Sequence, residues 1–372
     1  MSNAESPRYV LDGTKLAWHA DRFRAWLAGR HIAPVTVDWA LTTACNFHCQ
    51  FCAKLGQTKK VAMLPPAVAF QALADMKEMG VRGVVFMSDG ESTLVPYFVD
   101  AVLLAKRLGL SVACATNGYM VTSEMAEQIL PALDYLRFNF SAGMSQRYSE
   151  IMGVPPSPFA RVAHNIGECV KIKRRDKLPV TLNISMVLQP KDTDQIVPFA
   201  LAGKALGVDY AIIKHCLDYE TGEVAVDWAA YAAAEPLIKE AEAMSTPSYL
   251  VTAKWSKIKG GRERPYHHCY GPPFLLQISG TGLVAACGPK FNAHFAEKFH
   301  IGNINKTRLI DLWRGERYWE VMSFLRSNGF DAVACPPGCV QHNLNCAIDA
   351  HFKGQTEVKR PEGESPEHLN FI

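Results

Sequence analysis

Cys45-Asn46-Phe47-His48-Cys49-Gln50-Phe51-Cys52 sets three thiols at C-x3-C-x2-C spacing, in a chain of 372 residues that carries 11 cysteines. The stretch directly follows residues 35–43, an apolar and β-branched run that reads as a strand, so the thiols lie in a strand-end loop. Three thiolates so spaced can wrap one cubane iron–sulfur cluster and leave one iron open to a small molecule. Zinc is the alternative, with His48 as a fourth ligand, although zinc prefers four ligands in paired C-x2-C spacing.

Composition narrows the class before any further motif is read. Lys plus Arg number 39 against 36 Asp plus Glu, a net charge of +3. That is too near neutral for a nucleic-acid or membrane-surface binder. Hydrophobic residues make up 48% and charged residues 20%, the balance of a soluble globular protein, and the length suits two to three domains. No apolar run reaches the roughly 18 to 20 residues of a membrane helix, and residues 1–10 carry no secretion signal. The expected location is cytoplasmic, where so many thiols read as metal ligands or catalysts, not as disulfides.

Outward from the thiol loop, strands read at 35–43, 84–87, 111–116, 136–141, 180–188 and 210–216. Helices at 66–79, 97–108, 123–130, 159–173 and 195–206 separate them, with Ser123 expected as an N-cap. Such alternation implies βαβ units around a parallel sheet, and six units are fewer than the eight of a closed TIM barrel. Arg137, Asn139 and Ser141 alternate with Leu136, Phe138, Phe140 and Ala142, while Thr181, Asn183 and Ser185 alternate with Leu182, Ile184 and Met186. A sheet covered on both faces reads as continuously apolar, so these strands predict a barrel with a polar interior that holds a ligand. The fold class is therefore α/β, a partial (βα)6 TIM-like barrel followed by a small α+β cluster-binding domain with a β-hairpin. The divisions are a lead segment at 1–34, the barrel at 35–245, the second domain at 246–353 and a polar tail at 354–372 expected to be poorly ordered. Within the second domain, 246–261 reads as a connection ending in a basic run at 257–262, 277–287 as the hairpin and 309–325 as one helix.

The motif at 45–52, including the aromatic Phe51 before its last cysteine, resembles that of the radical S-adenosylmethionine (SAM) superfamily. Further segments agree in order. Ser88-Asp89-Gly90-Glu91-Ser92 after a strand resembles the family's Gly-Gly-Glu segment, departing from it at Asp89, and Ala115-Thr116-Asn117-Gly118 resembles its Thr-Asn-Gly segment. The resemblance implies a [4Fe-4S] cluster on Cys45, Cys49 and Cys52 with SAM on the fourth iron. Phe51, Ser88, Gly90, Glu91, Asn117, Asn139, Ser141 and Asn183 are then the expected SAM-binding residues. Reductive cleavage of SAM would give a 5′-deoxyadenosyl radical that removes a substrate hydrogen atom.

A second group, Cys269-x17-Cys287 with Gly282 before Cys287, then Cys335-x3-Cys339-x6-Cys346, resembles the SPASM and twitch domains of many such enzymes. This implies one auxiliary [4Fe-4S] cluster, or two if a non-cysteine ligand takes part. Cys269, Cys287 and Cys339 read as ligands, with Cys335 and Cys346 competing for the remaining place. A structural zinc is the alternative here too.

Of the other cysteines, Cys114 and Cys169 read as buried small hydrophobes. Cys216 ends the last expected strand beside Lys214 and His215, and these three are the candidate catalytic residues. The expected activity is an oxidoreductase that passes the electron left on its substrate to the auxiliary cluster. A small polar metabolite such as a sugar or aminocyclitol is the favoured substrate, and an external donor such as flavodoxin or ferredoxin supplies electrons. No nucleic acid or membrane partner is expected. Two other reactions stay open: a peptide- or protein-modifying maturase, and a redox-neutral epimerase using Cys216 as hydrogen donor. The 34 residues before the first strand are too few for a separate leader-recognition core, which favours a small or leader-independent substrate.

Overall fold

Side chains that alternate in character along the strands decide how the sheet is covered. A computed structural model describes residues 14–52, 61–217, 226–260, 263–335 and 339–372. Its strands are β1 (Thr36–Trp39), β2 (Gly83–Phe86), β3 (Ser111–Thr116), β4 (Tyr135–Asn139), β5 (Thr181–Leu188), β6 (Tyr210–His215), β7 (Leu250–Ala253), β8 (Leu275–Ile278), β9 (Leu283–Ala285) and β10 (His300–Asn303). Among the described residues they form one sheet in the order β10-β9-β8-β1-β2-β3-β4-β5-β6-β7. Strands β1 to β7 are parallel, and β8 joins them parallel to β1, with Thr36 opposite Leu275 and Asp38 opposite Gln277. Only β9 is reversed, pairing antiparallel with both β8 and β10. The result is a partial barrel whose sheet continues into the hairpin of the second domain.

All six expected strands are present, and four expectations need correcting, three of them local. Residues 246–261 are no plain connection, since they contain β7 and the helix Trp255–Gly260. Four residues, Leu-Val-Thr-Ala, are too few to show a period. The helix expected over 309–325 is two, Leu309–Arg314 and Glu316–Leu325, because Gly315 is extended between them (ψ 156°). Thr122, not Ser123, caps the helix Ser123–Ile129, its hydroxyl accepting from the Met125 N–H. The last two residues of the basic run, 261 and 262, lie outside the described residues.

The polar-interior reading holds. Leu136, Phe138, Leu182, Ile184 and Met186 pack outward with Val162, Ile166 and Phe199 of the covering helices. Burying each contributes about 1.5–3 kcal/mol. Their alternates, Arg137, Asn139, Asn183 and Ser185, face inward.

The described part of the lead segment packs on the second domain. Leu16, Phe23 and Trp26 pack on Tyr270, Phe274, Leu344 and Ile348 of the second domain. The tail read as poorly ordered is instead seated across the N-terminal ends of the barrel strands. Thr36, Ser111 and Thr181 open β1, β3 and β5; the Thr36 hydroxyl donates to the Asn370 carbonyl (2.7 Å), the Asn370 amide donates to Ser111 Oγ (2.9 Å), and His368 Nε2 lies 2.9 Å from Thr181 Oγ1. Phe371 is 2% exposed and packs on Val85, Ala113 and Tyr135. One short polar stretch anchored at single residues has no pattern that a sequence reading can detect.

Two histidines hold this tail in their neutral form. His19 accepts from Arg82 at Nδ1 (2.8 Å) and donates from Nε2 to the Leu369 carbonyl (3.1 Å), so a second proton has no acceptor. Burial lowers its pKa from 6.5 to about 4, and burial lowers that of His368 to about 3. Between pH 6.5 and those values the unfolded chain binds protons that the folded chain refuses, so stability falls as pH falls. At pH 5 the two sites together are expected to cost on the order of 4 kcal/mol. Thermal melts at pH 7 and pH 5 measure this. An equal loss in the His19→Gln/His368→Gln double variant would assign the acid sensitivity elsewhere.

Candidate active site

The thiol loop is held from two sides. On one, the Thr43 N–H donates to the Ala62 carbonyl (2.9 Å) and the Ala62 N–H returns a bond to Thr43 Oγ1 (2.8 Å). On the other, His48 N–H donates to Met152 O (3.3 Å) and Gln50 N–H to Ile151 O (3.0 Å), which docks the loop on the end of the helix Ser145–Met152. Gly153 closes that helix at φ +60°, where a Cβ would stand 2.1 Å from the His48 carbonyl oxygen. Phe47 is buried between Tyr119 and Tyr148. Cys45, Cys49 and Cys52 all line one cavity of about 370 Å³. Burial raises the Cys49 pKa well above the ordinary thiol value, and the negative charge of Cys52 and Cys45 raises it further.

The loop after β2 forms the adjoining wall. Ser88 takes φ 149°, a conformation that favours glycine. Gly90 lies so close that a Cβ would fall 2.0 Å from the Thr42 carbonyl oxygen. Glu91 is 3% exposed, and its carboxylate accepts from Thr93 N–H (3.2 Å), Thr93 Oγ1 (2.6 Å), Thr116 Oγ1 (2.8 Å) and Asn117 N–H (2.7 Å). Burial pushes its pKa up, and these donors oppose the rise. Glu91 therefore ties the end of β2 to the end of β3. Asn117 in turn donates to Asn46 Oδ1 (2.7 Å) in the thiol loop. Asp89 reaches the second domain, accepting from Ser279 Oγ (2.5 Å) and Gly280 N–H (2.9 Å).

Phe51, Ser88, Gly90, Glu91, Asn117 and Asn139 line the same cavity as the three thiols. Ser141 and Asn183 are not among its lining residues. Ser141 Oγ accepts from Val187 N–H (3.2 Å), and Asn183 is fully buried. Lys214 and His215 line the cavity; Cys216 does not. β6 is not the last strand, and Cys216 turns into the protein, with its N–H donating to Tyr231 Oη (2.8 Å) and its Sγ 3.6 Å from the Leu217 carbonyl.

Sequence reading missed several lining residues, namely Asp38, Tyr135, Lys254 and Lys257, and left Arg137 without a role. Asp38 and Tyr135 were visible only as inward positions of their strands. Burial raises the Asp38 pKa to about 6, against the opposing pull of Gln277, Arg137 and Lys254. Burial, with the charges of Arg137 and Lys257, lowers the Lys214 pKa to about 7.

The second thiol group gathers beside the hairpin. Cys287 is pushed well above the ordinary thiol value by burial and by Cys339, Cys269 and Cys335. Cys269, likewise raised, is influenced by Cys339 and Cys335 and accepts from Asn345 Nδ2 (3.5 Å). Cys346 stands apart on the helix His342–Phe352, its Sγ 3.6 Å from His342 Nε2, and of these four thiols it is influenced by Cys339. Gln277 bridges the two centres: its Oε1 accepts from the N–H of Gly288, next to Cys287, and its Nε2 donates to Asp38 Oδ2 (3.2 Å) in the cavity wall.

Residues 39–200 match the family model of the Radical SAM superfamily, and residues 269–340 match that of SPASM, an iron–sulfur cluster-binding domain. The chain carries a radical SAM domain followed by a SPASM domain. The chain is 27% identical to the S-adenosylmethionine-dependent nucleotide dehydratase of Pseudoalteromonas ulvae, over 30% of this chain and 42% of that protein. To the PqqA peptide cyclase of Gluconobacter oxydans it is 27% identical, over 51% of each. It thus spans about half the length of these curated relatives. Streptococcus suis SuiB bound to S-adenosylmethionine has the same fold, with a TM-score of 0.64 at 16% identity over 93% of this chain and 80% of that one.

The cofactors of the radical SAM and SPASM domains are [4Fe-4S] clusters and SAM. The donor sets fit them. Three thiols lining one cavity suit a cluster with an open iron, and Cys287, with the three thiols that act on it, Cys339, Cys269 and Cys335, offers four ligands for a fully ligated one. Among the described residues no helix is long and apolar enough to cross a membrane.

Proposed function

We propose that the enzyme is an oxidoreductase that removes a hydrogen atom from a carbon bearing a hydroxyl or amine and oxidises that carbon by two electrons. One observation carries this reading: the half-buried carboxylate of Asp38 faces the cavity and is joined through Gln277 to the peptide next to Cys287. When bound, the SAM cluster would supply radical chemistry and the auxiliary cluster an acceptor for one electron.

Oxidation of an alcohol radical also releases a proton, and Asp38, with its pKa near 6, is the group placed to receive it. Gln277 fixes the Asp38 rotamer. Glu91 and Asn117 hold the loops around the thiols, and the tail residues Phe371 and Ile372 floor the cavity against water. In this reading Cys45, Cys49 and Cys52 hold the SAM cluster, while Cys269, Cys287, Cys335 and Cys339 hold the auxiliary one. The epimerase reading has less support, because Cys216 does not line the cavity. Kinship leaves the substrate open, since the relatives named above act on nucleotides and on a peptide.

A Cys269→Ala/Cys287→Ala enzyme, reduced with dithionite, is the test. It is expected to keep 5′-deoxyadenosine formation while net substrate oxidation falls by at least about a hundredfold. Undiminished oxidation would remove the auxiliary site from the reaction.

A further inference from the structure

One side-chain amide at the second thiol group is fixed from every side. Asn345, on the helix His342–Phe352, is fully buried. Its Oδ1 accepts from two consecutive peptides, Tyr270 N–H (2.7 Å) and Gly271 N–H (2.9 Å). Two backbone donors of this kind decide which end of the amide is oxygen. The nitrogen end is thereby turned to Cys269, with Nδ2 3.5 Å from Sγ, and its second N–H serves the Tyr266 hydroxyl. Each donor and acceptor of the side chain is in use, so a rotation about its last bond would break all of these bonds together.

The thiol is held as firmly as the amide. Cys269 N–H donates to the Leu325 carbonyl (3.0 Å), and at Gly271, two residues on, a Cβ would collide with Gln341 Oε1. The missing side chain lets the backbone at 270–271 stay close enough to give both its N–H groups to Asn345. Burial and then the charge of Cys339 push the Cys269 thiol up, and the bond from Asn345 pulls it down. A neutral donor of this kind favours whichever state places more negative charge on the sulfur. In an iron–sulfur centre that is the reduced state, and hydrogen bonds to the ligand sulfurs are one of the levers that set the potential.

We propose that Asn345, through a fixed N–H···S bond to Cys269, raises the reduction potential of the auxiliary cluster and so makes that site an electron acceptor. This rests on the reading of Cys269 as a ligand of that cluster and names what sets its acceptor strength. The substrate radical gives up one electron and one proton, the electron to the auxiliary site and the proton to Asp38. Asn345 stabilises the negative charge gained at Cys269.

Asn345→Asp is the matched change, because a carboxylate still accepts from Tyr270 and Gly271 but has no N–H for the sulfur. The iron-replete full chain is titrated potentiometrically and followed by electron paramagnetic resonance, the auxiliary signal being the one that added SAM leaves unchanged. Its midpoint is expected to fall by at least about 60 mV in Asn345→Asp, the one-electron equivalent of a tenfold change in equilibrium. The added charge alone also lowers a potential, so a second measurement reads the bond itself. Unaltered protein, isotopically labelled only in the nitrogen of its asparagine side chains, should show a nitrogen coupling to the reduced auxiliary cluster, and Asn345→Asp should abolish it. An unchanged potential, or no such coupling in the unaltered protein, overturns the assignment. The coupling alone decides if the variant fails to fold or to hold iron. Undiminished substrate oxidation in Cys269→Ala/Cys287→Ala, with the coupling present, removes the proposed reaction and leaves Asn345 as the tuning residue. Lost oxidation in that double variant, with the coupling absent, removes this inference alone.

Discussion

Replacing Cys45, Cys49 and Cys52 together by alanine is expected to abolish 5′-deoxyadenosine formation and to lower iron from about eight to about four ions per chain. All three thiols border the one cavity, so none can be spared without exposing a further iron. Because the second group of thiols lies beside the hairpin and shares no residue with the first, the remaining iron should keep a [4Fe-4S] absorption band. The measurement is iron and sulfide content alongside product formation under dithionite. A variant that still cleaves SAM, or that loses all its iron, would overturn the division into two separate sites.

The second large effect is expected at a residue that touches no cofactor. Gly153→Ala forces a Cβ to within 2.1 Å of the His48 carbonyl oxygen, a backbone atom with no side-chain freedom to yield. The left-handed φ of +60° adds about 1–2 kcal/mol for any other residue. To restore a contact of ordinary length the thiol loop must move by about an ångström, whereas metal ligands tolerate only about 0.2 Å. SAM cleavage should therefore fall at least about tenfold with the auxiliary iron retained. Gly167→Ala is the control: nothing lies within 4 Å of its Cβ position in the helix Ser157–Asp176, and alanine there should stabilise by about 0.5–1 kcal/mol. Full iron loading and unchanged turnover in Gly153→Ala would show that the loop does not depend on this contact.

Much of the barrel was legible because its information is local. The two-residue period of Leu136–Phe140 and of 181–186 identifies both faces of β4 and β5, and the outer face is the one buried under helices. The thiol motif was legible because ligand spacing is a local property as well. What stayed hidden depends on contacts distant in sequence. Asp89, a departure from the family pattern, acquires a purpose only when Ser279 and Gly280 arrive beside it. Cys335 and Cys346 cannot be ranked by spacing; their surroundings separate them, since Cys335 acts on both Cys269 and Cys287 and Cys346 lies beside His342. That Arg137, Lys214 and Lys254 border one cavity was hidden because they come from three strands or strand ends with no common motif.

The pairing of β8 with β1 bears on how the chain is made. Gln277 and Asp38 are 239 residues apart, so one side of the first strand has no neighbour until the second domain has left the ribosome. At 5–20 residues per second that interval is roughly 10 to 50 s. Throughout it, the strand leading into the thiol loop presents an open edge to any other nascent chain. The cavity, similarly, has no floor until residues 371 and 372 are released. A metal centre held by Cys45, Cys49 and Cys52 would thus be enclosed only once residues 275–278 and 371–372 have been made.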